Sequence, residues 1–180
     1  MQFDNYKIFL LSNSTLALAL GLFTPFYIVF IQEFGGGIEQ FGFSIGLMVL
    51  AQSITSYFTG KYSDKFGRKI FLIIGGFALS GVTFGYSLIS TLIHLYILQI
   101  LNGIMNAMQM TMETSFLGDI TEKLSRGTDI GKYHAIVGIM TAITMMGGGF
   151  IIGELGFKII FYITSTIIFL STFILFRIRE

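Results

Sequence analysis

Cysteine and tryptophan are absent from these 180 residues, proline occurs once, and only 12% of the side chains are charged. Without cysteine there are no disulfides and no thiolate metal sites, and the redox compartment stays open. Two histidines, His94 and His134, cannot build a metal centre unaided. A net charge of +1 offers no electrostatic footprint for nucleic acid. His-Glu-x-x-His, Gly-x-Ser-x-Gly and Gly-x-x-x-x-Gly-Lys are all missing. Neither enzymatic chemistry nor a cofactor is expected. What is abundant is apolar: 53% of the residues are hydrophobic, among them twenty phenylalanines and nine methionines. A soluble domain carries about twice this density of charge, so the composition predicts an integral membrane protein.

Charge-free runs occupy residues 8–32, 40–60, 70–112, 133–153 and 159–176. A spanning helix needs about 20 apolar residues, so four of these runs fit one span each. The run 70–112 is too long for one and must fold back. Its least apolar point, Ser87 to His94, predicts a tight turn near Ile89–Thr91. The expected fold is all-α, a single transmembrane domain over 1–180 with six spans at about 8–32, 40–60, 70–89, 92–117, 133–153 and 159–176. The first run is too long for the core of a cleavable signal peptide and lacks a small-residue cleavage site. The connections on the far side are expected at Glu33–Gln40, near Ser90 and at Glu154–Lys158.

The cations test this count, because Lys and Arg concentrate in cytoplasmic loops. Six spans put Lys7, Lys61, Lys65, Arg68, Lys69, Lys123, Arg126, Lys132, Arg177 and Arg179 on one side and Lys158 alone on the other. Treating 70–112 as one span would destroy that asymmetry. Both termini are therefore expected on the cytoplasmic side of the cell membrane.

Between spans two and three the chain reads Gly60-Lys-Tyr-Ser-Asp64-Lys-Phe-Gly67-Arg68-Lys69. Gly67 permits a tight reversal, Gly60 a close helix approach, and Asp64 and Arg68 a charge pair at a partly dry rim. An ordinary basic loop with a turn glycine is the bland alternative. The spacing resembles the signature of the major facilitator superfamily, Gly-x-x-x-Asp-x-x-Gly-Arg-Arg/Lys, in the same loop of the same topology. A second similarity lies at the end of span four, in Leu117-Gly118-Asp119-Ile120 followed by Arg126 and Gly127. The resemblance implies a half-bundle of two three-helix inverted repeats. It also implies a cytoplasmic latch of Gly60, Asp64, Gly67, Arg68, Lys69, Asp119 and Arg126 that holds two transporter halves together. It covers the whole chain but only the first half of a twelve-span member. Two positions depart from the drug/proton antiporter branch: Gln99 stands where an Arg is common, and Gly147-Gly148-Gly149 lacks a proline.

Span four places Gln99, Asn102, Asn106, Gln109 and Glu113 at intervals of three and four, on one narrow face. Lipid cannot solvate such a face, so it is expected to line a substrate cavity or to supply hydrogen bonds between helices. Glu113, the single acid well inside a span, is the expected proton- or cation-coupling residue; a structural partner for a nearby cation is the alternative. Asn13 in span one and Gln52 in span two are further cavity candidates. Pro25 is expected to kink span one. The small-residue stripes Gly42, Gly46, Ser53, Ser56, Gly60 and Gly131, Ala135, Gly138, Ala142, Gly149, Gly153 are expected to make helix contacts.

Six spans enclose half of a transporter pore, and the two halves of a family member share one orientation in the membrane. The leading expectation is a half-size secondary transporter moving a small solute by alternating access as a parallel homodimer. One alternative is the N-terminal half of a split or truncated transporter that needs a separate six-helix half. A non-transporting membrane scaffold or sensor is another.

Overall fold

The structure, a computed structural model, describes residues 2–178. Arg179, one of the cations expected on the cytoplasmic side, lies outside the described residues. Among those residues there are helices and turns but no strands. The helices are α1 (Gln2–Phe23), α2 (Tyr27–Gln32), α3 (Ile38–Phe66), α4 (Arg68–Gly85), α5 (Leu92–Ile120) and α6 (Arg126–Ile174), with 3-10 turns at Thr24–Phe26 and Leu175–Arg177. Four stretches are long and apolar enough to cross a membrane: Asp4–Gln32, Ile38–Phe66, Arg68–Gly85 and Arg126–Arg177. The 29-residue α5 is as long as α3, but the amides of its polar stripe lower its hydropathy.

Pro25 interrupts the first rod. The 3-10 turn separates α1 from α2 there, and the Thr24 hydroxyl donates to the Leu20 carbonyl at 2.8 Å. That bond repairs part of the backbone pairing that proline breaks.

A straight 49-residue helix would be about 73 Å long, yet Tyr133 near the start of α6 and Leu175 just beyond it share one buried cluster. The helix doubles back at Gly156, where φ is 74° and ψ 163°. Gly67, the single residue joining α3 to α4, adopts a similar conformation (φ 88°, ψ 151°). Only glycine occupies this region without strain. The connection expected at Glu154–Lys158 is thus one residue rather than a loop. Gly156→Ala should destabilise the chain by about 1–3 kcal/mol. No atom lies within 4 Å of the added methyl, so the whole loss, read from thermal denaturation in detergent, reports backbone strain.

The turn between the third and fourth rods also comes earlier than its hydropathy minimum. The helix ends at Gly85, and the amides of Tyr86, Ser87 and Leu88 reach back to Val82, Thr83, Phe84 and Gly85 carbonyls. Tyr86 is the reason: it is buried, stacks on Phe161 at 5.4 Å and donates to Gln99 at 3.1 Å. Thr91 then starts α5, its side chain accepting from the His94 amide.

Two clusters define the ends of the bundle. Phe9, Leu72, Phe116, Ile120, Tyr133, Leu175 and Ile178 pack at one end, where Lys69 Nζ also donates to the Ile178 carbonyl at 2.6 Å and Tyr6 to the Asp129 carbonyl at 2.8 Å. Tyr27, Phe30, Ile31, Tyr86, Leu95, Phe157 and Phe161 pack at the other, with Phe34 and Ile89 against them. Both basic loops and both ends of the described chain gather at the first end.

The tightest helix approaches do not use the stripes read from the sequence. At Gly103 a methyl would run into the Met48 carbonyl, and at Gly21 it would lie 2.8 Å from the Thr141 carbonyl oxygen. Gly148 comes within 3.0 Å of the Leu22 carbonyl by the same measure. By contrast, Gly131, Ala135, Gly138, Ala142, Gly149 and Gly153 are all exposed, as are Gly42, Gly46 and Ser53. Gly60, expected to allow close approach, leaves 3.8 Å to the nearest Thr111 carbon, ordinary contact for a methyl. Periodicity identified faces of small residues correctly, but it carries no information on whether a helix of the same chain covers them.

Candidate functional site: a charged latch and a polar stripe

Gly67 turns the chain so that α4 begins with Arg68 pointing across to the end of α5. Its guanidinium pairs with the Asp119 carboxylate, donates to the Ser115 carbonyl at 2.7 Å, and lies 3.8 Å from Asp64 Oδ1. Three of the five charged residues expected in the latch thus meet, with Asp119 held more closely than Asp64. Arg68 is 26% exposed, Asp119 55% and Asp64 74%. The cation is the sheltered member, and the acids stand at the rim of a hollow of about 320 Å³ lined by Ser63, Asp64, Gly67, Arg68, Phe116 and Asp119. A guanidinium suits this position because its planar fork serves several oxygens at once.

The other residues implied by the motif lie outside this triad. Lys69 ties α4 to the C-terminal segment through Ile178. Arg126 caps α5: its Nη2 donates to the Gly118 carbonyl at 2.7 Å and its Nε to the Thr121 hydroxyl at 3.3 Å. The last carbonyls of a helix have no partner within it, and a cation there also meets the negative end of the helix dipole.

The stripe of α5 divides. Gln99 is buried and accepts from Tyr86, and Asn102 Nδ2 reaches the same Gln99 oxygen at 3.4 Å. Asn106 Nδ2 donates to Asn102 Oδ1 at 3.0 Å, so three amides form a ladder along the helix. Tyr27 extends it, donating to Ser44 at 3.2 Å. Gln109 is also buried and donates to the Leu72 carbonyl of α4 at 3.1 Å. Gln99 and Gln109 therefore act as hydrogen-bonding glue between helices, whereas Asn102 and Asn106 remain half-buried. Gln52 on α3 reaches Met110 Sδ at 2.9 Å. Asn13 is buried and bonds to the Phe9 carbonyl of its own helix at 3.1 Å, so it faces no open space. Glu113 is half-buried.

Sequence reasoning passed over the tyrosines. Tyr27, Tyr86 and Tyr133 are all buried, and a buried phenol ordinarily needs a polar partner. Asking that of each tyrosine in an apolar run would have pointed to Gln99 as the partner of Tyr86.

Residues 9–180 match the Major Facilitator Superfamily. The MFS-type transporter YitZ of Bacillus subtilis is 33% identical over 153 residues, which cover 85% of this chain and 93% of YitZ. Multidrug resistance protein 2 of the same bacterium is 33% identical over 163 residues, 89% of this chain but 40% of that protein. The multi-drug resistance efflux pump PmrA of Streptococcus pneumoniae is 26% identical over 172 residues, 93% of this chain and 43% of the pump. The chain thus spans nearly all of one relative and under half of the other two. With its apolar helices and a family match from residue 9 to residue 180, this multi-pass membrane protein belongs to the Major Facilitator Superfamily.

Proposed function

We propose that this chain is a half-size secondary transporter of the cell membrane that works as a parallel homodimer. Six segments cross the bilayer: the rod α1–α2, then α3, α4 and α5, and the two arms of α6 on either side of Gly156. Both termini lie in the cytoplasm, on the side that carries the basic loops. The observation behind this reading is the outward aspect of the two small-residue stripes. All six small residues of the α6 stripe are exposed, and among its glycines Gly131, Gly138 and Gly153 have no atom within 4 Å of an added methyl. Small residues let helix backbones approach closely in lipid, so a neighbouring half packed on these faces gives them a purpose that this chain alone does not. Two copies share one orientation, as the halves of family members do. Asn102, Asn106 and Glu113 of each copy then border a common path for a small solute, and the Arg68 latches close it at the cytoplasmic end in alternating access. A proton or cation coupled through Glu113 drives the cycle. The names of two relatives favour a drug as the solute.

The test is mass measurement and cross-linking in nanodiscs. A dimer is expected, and Gly46→Leu with Gly138→Leu should convert it to folded monomer while the circular dichroism stays unchanged. A monodisperse monomer that is active alone rules the dimer out. The partial coverage of the two multidrug relatives supports a second reading, the N-terminal half of a longer or split transporter. Association only with a separate six-helix chain would establish it. Uptake into liposomes holding this chain alone, lost in Glu113→Gln, excludes a non-transporting scaffold.

A further inference from the structure

A hollow of about 490 Å³ at the basic end of the bundle takes no part in the latch or in the amide ladder. Three segments wall it: the start of α1, the turn that follows α5 and the start of α6. It gathers charges of both signs, Lys7 and Lys132 with Glu122 and Asp129, and Leu10 and Ile120 are its apolar members. Part of the wall is fixed, because the Tyr6 hydroxyl donates to the Asp129 carbonyl at 2.8 Å and the Ser125 hydroxyl to the Asp129 carboxylate at 2.6 Å. The charges themselves are not closed on one another. Lys132 Nζ stands 3.9 Å from Asp129 Oδ1, near enough to attract and too far to hydrogen-bond. The Glu122 carboxylate is exposed and forms no ion pair among the described residues.

Two further observations say what enters such a hollow. Lys7 is the last charge before the charge-free run 8–32, and Lys132 the last before the run 133–153. Both lysines therefore stand where their helices leave the hydrocarbon, at the level of the lipid headgroups. Leu124, in the turn between Glu122 and Ser125, is wholly exposed, and Lys123 precedes it. An uncovered apolar side chain beside a cation suits the boundary between headgroups and acyl chains. We infer that the hollow binds the zwitterionic headgroup of a phospholipid from the leaflet at the basic end. Lys7 and Lys132 take the phosphate, Asp129 and Glu122 take the ammonium, and Leu124 lies among the acyl chains. A bare anion would leave two carboxylates facing it, and a bare cation two lysines. Only an ammonium brings N–H donors to the carboxylate oxygens; a choline group has none, and a glycerol headgroup has no cation. The ligand class is thus the phosphoethanolamine zwitterion of phosphatidylethanolamine.

Neither transport nor dimerisation enters this inference, and lipid retention is measured without them. The whole chain is incubated in mixed micelles holding equal amounts of phosphatidylethanolamine, phosphatidylcholine and phosphatidylglycerol with matched acyl chains, and native mass spectrometry reads the lipid retained. Preferential retention of phosphatidylethanolamine is expected. Lys7→Gln and Lys132→Gln should each lower that retention about fivefold, the worth of one cation at a lipid surface. Glu122→Gln with Asp129→Asn should keep phosphate binding and erase the preference over phosphatidylcholine. Circular dichroism identifies the folded variants, and Glu122→Gln alone, at an exposed side chain, serves if the double variant does not fold. Equal retention of the three lipids by the unaltered chain, or a preference indifferent to both lysine changes, overturns the inference. Free O-phosphoethanolamine is the second probe, applied to the delipidated chain. Leu124→Ser should weaken retention of the lipid more than binding of this soluble zwitterion. Free zwitterion that displaces the lipid, with Leu124→Ser without effect on either, would give the hollow to a soluble ligand and overturn the lipid assignment.

Discussion

Gly103→Ala should be among the most damaging conservative changes in this protein. A methyl there collides with the backbone carbonyl of Met48, its carbon lying 3.0 Å from the carbonyl carbon, and also comes within 3.1 Å of the Ala51 methyl. The obstacle is helical backbone, so relief requires α3 and α5 to move apart along their contact. Overpacking of this kind costs about 1–3 kcal/mol, and here it outweighs the gain in helix propensity of about 1 kcal/mol that alanine brings over glycine. The net loss appears as a lower midpoint of thermal unfolding in detergent. Gly42→Ala and Gly81→Ala, with no atom within 4 Å, show the propensity gain alone and should leave the midpoint unchanged or raised. Gly76→Ala falls between them, because the atoms it meets belong to the Thr172 side chain, which can rotate. If Gly103→Ala and Gly42→Ala melt together, the α3–α5 contact is looser than described.

Loss of the latch should be seen in function rather than in stability. Arg68→Ala leaves Asp119, Asp64 and the Ser115 carbonyl without the guanidinium that joins α4 to the end of α5. The acids are largely exposed, so water takes over much of the role, and ion pairs of this kind contribute about 1 kcal/mol or less to stability. Under the transporter reading the conformational cycle depends on that junction. Solute uptake into liposomes is expected to fall at least about tenfold, the equivalent of 1.4 kcal/mol on the cycle. Arg68→Lys should rescue little of it, since an ammonium is a point charge and lacks the planar fork that serves separate oxygens. Asp119→Asn should cost more than Asp64→Asn, because Asp119 makes the close contact and Asp64 lies 3.8 Å away. Equal losses at the two acids would assign the effect to something other than this geometry.

What the sequence made legible was chiefly whatever depends on spacing along one chain segment. The motif from Gly60 to Lys69 placed a glycine at the one residue where α3 turns into α4, and Arg68 near Asp64, whereas Asp119 entered only through the family resemblance. Pro25 broke its helix as a residue without an amide proton must. Contacts between distant segments were less accessible. The end of α4 is set by Tyr86 reaching Gln99, an interaction that a hydropathy minimum cannot register. The stripe on α5 was visible, but its division into buried glue at Gln99 and Gln109 and half-open amides at Asn102 and Asn106 depends on what α4 and the tyrosines place against it.

The packing of α1 has a consequence for biosynthesis. Its partners lie almost wholly on α6: Tyr6 meets Asp129, Ser12 donates to the Ser171 carbonyl at 2.7 Å, and Phe23 meets Phe161 with ring centroids 4.6 Å apart. α1 is therefore held by the two arms of α6, which come much later in the chain. Until both arms of α6 have been translated, it waits in the bilayer with its docking face unmatched. During that interval the Ser12 hydroxyl lacks its acceptor, the Ser171 carbonyl.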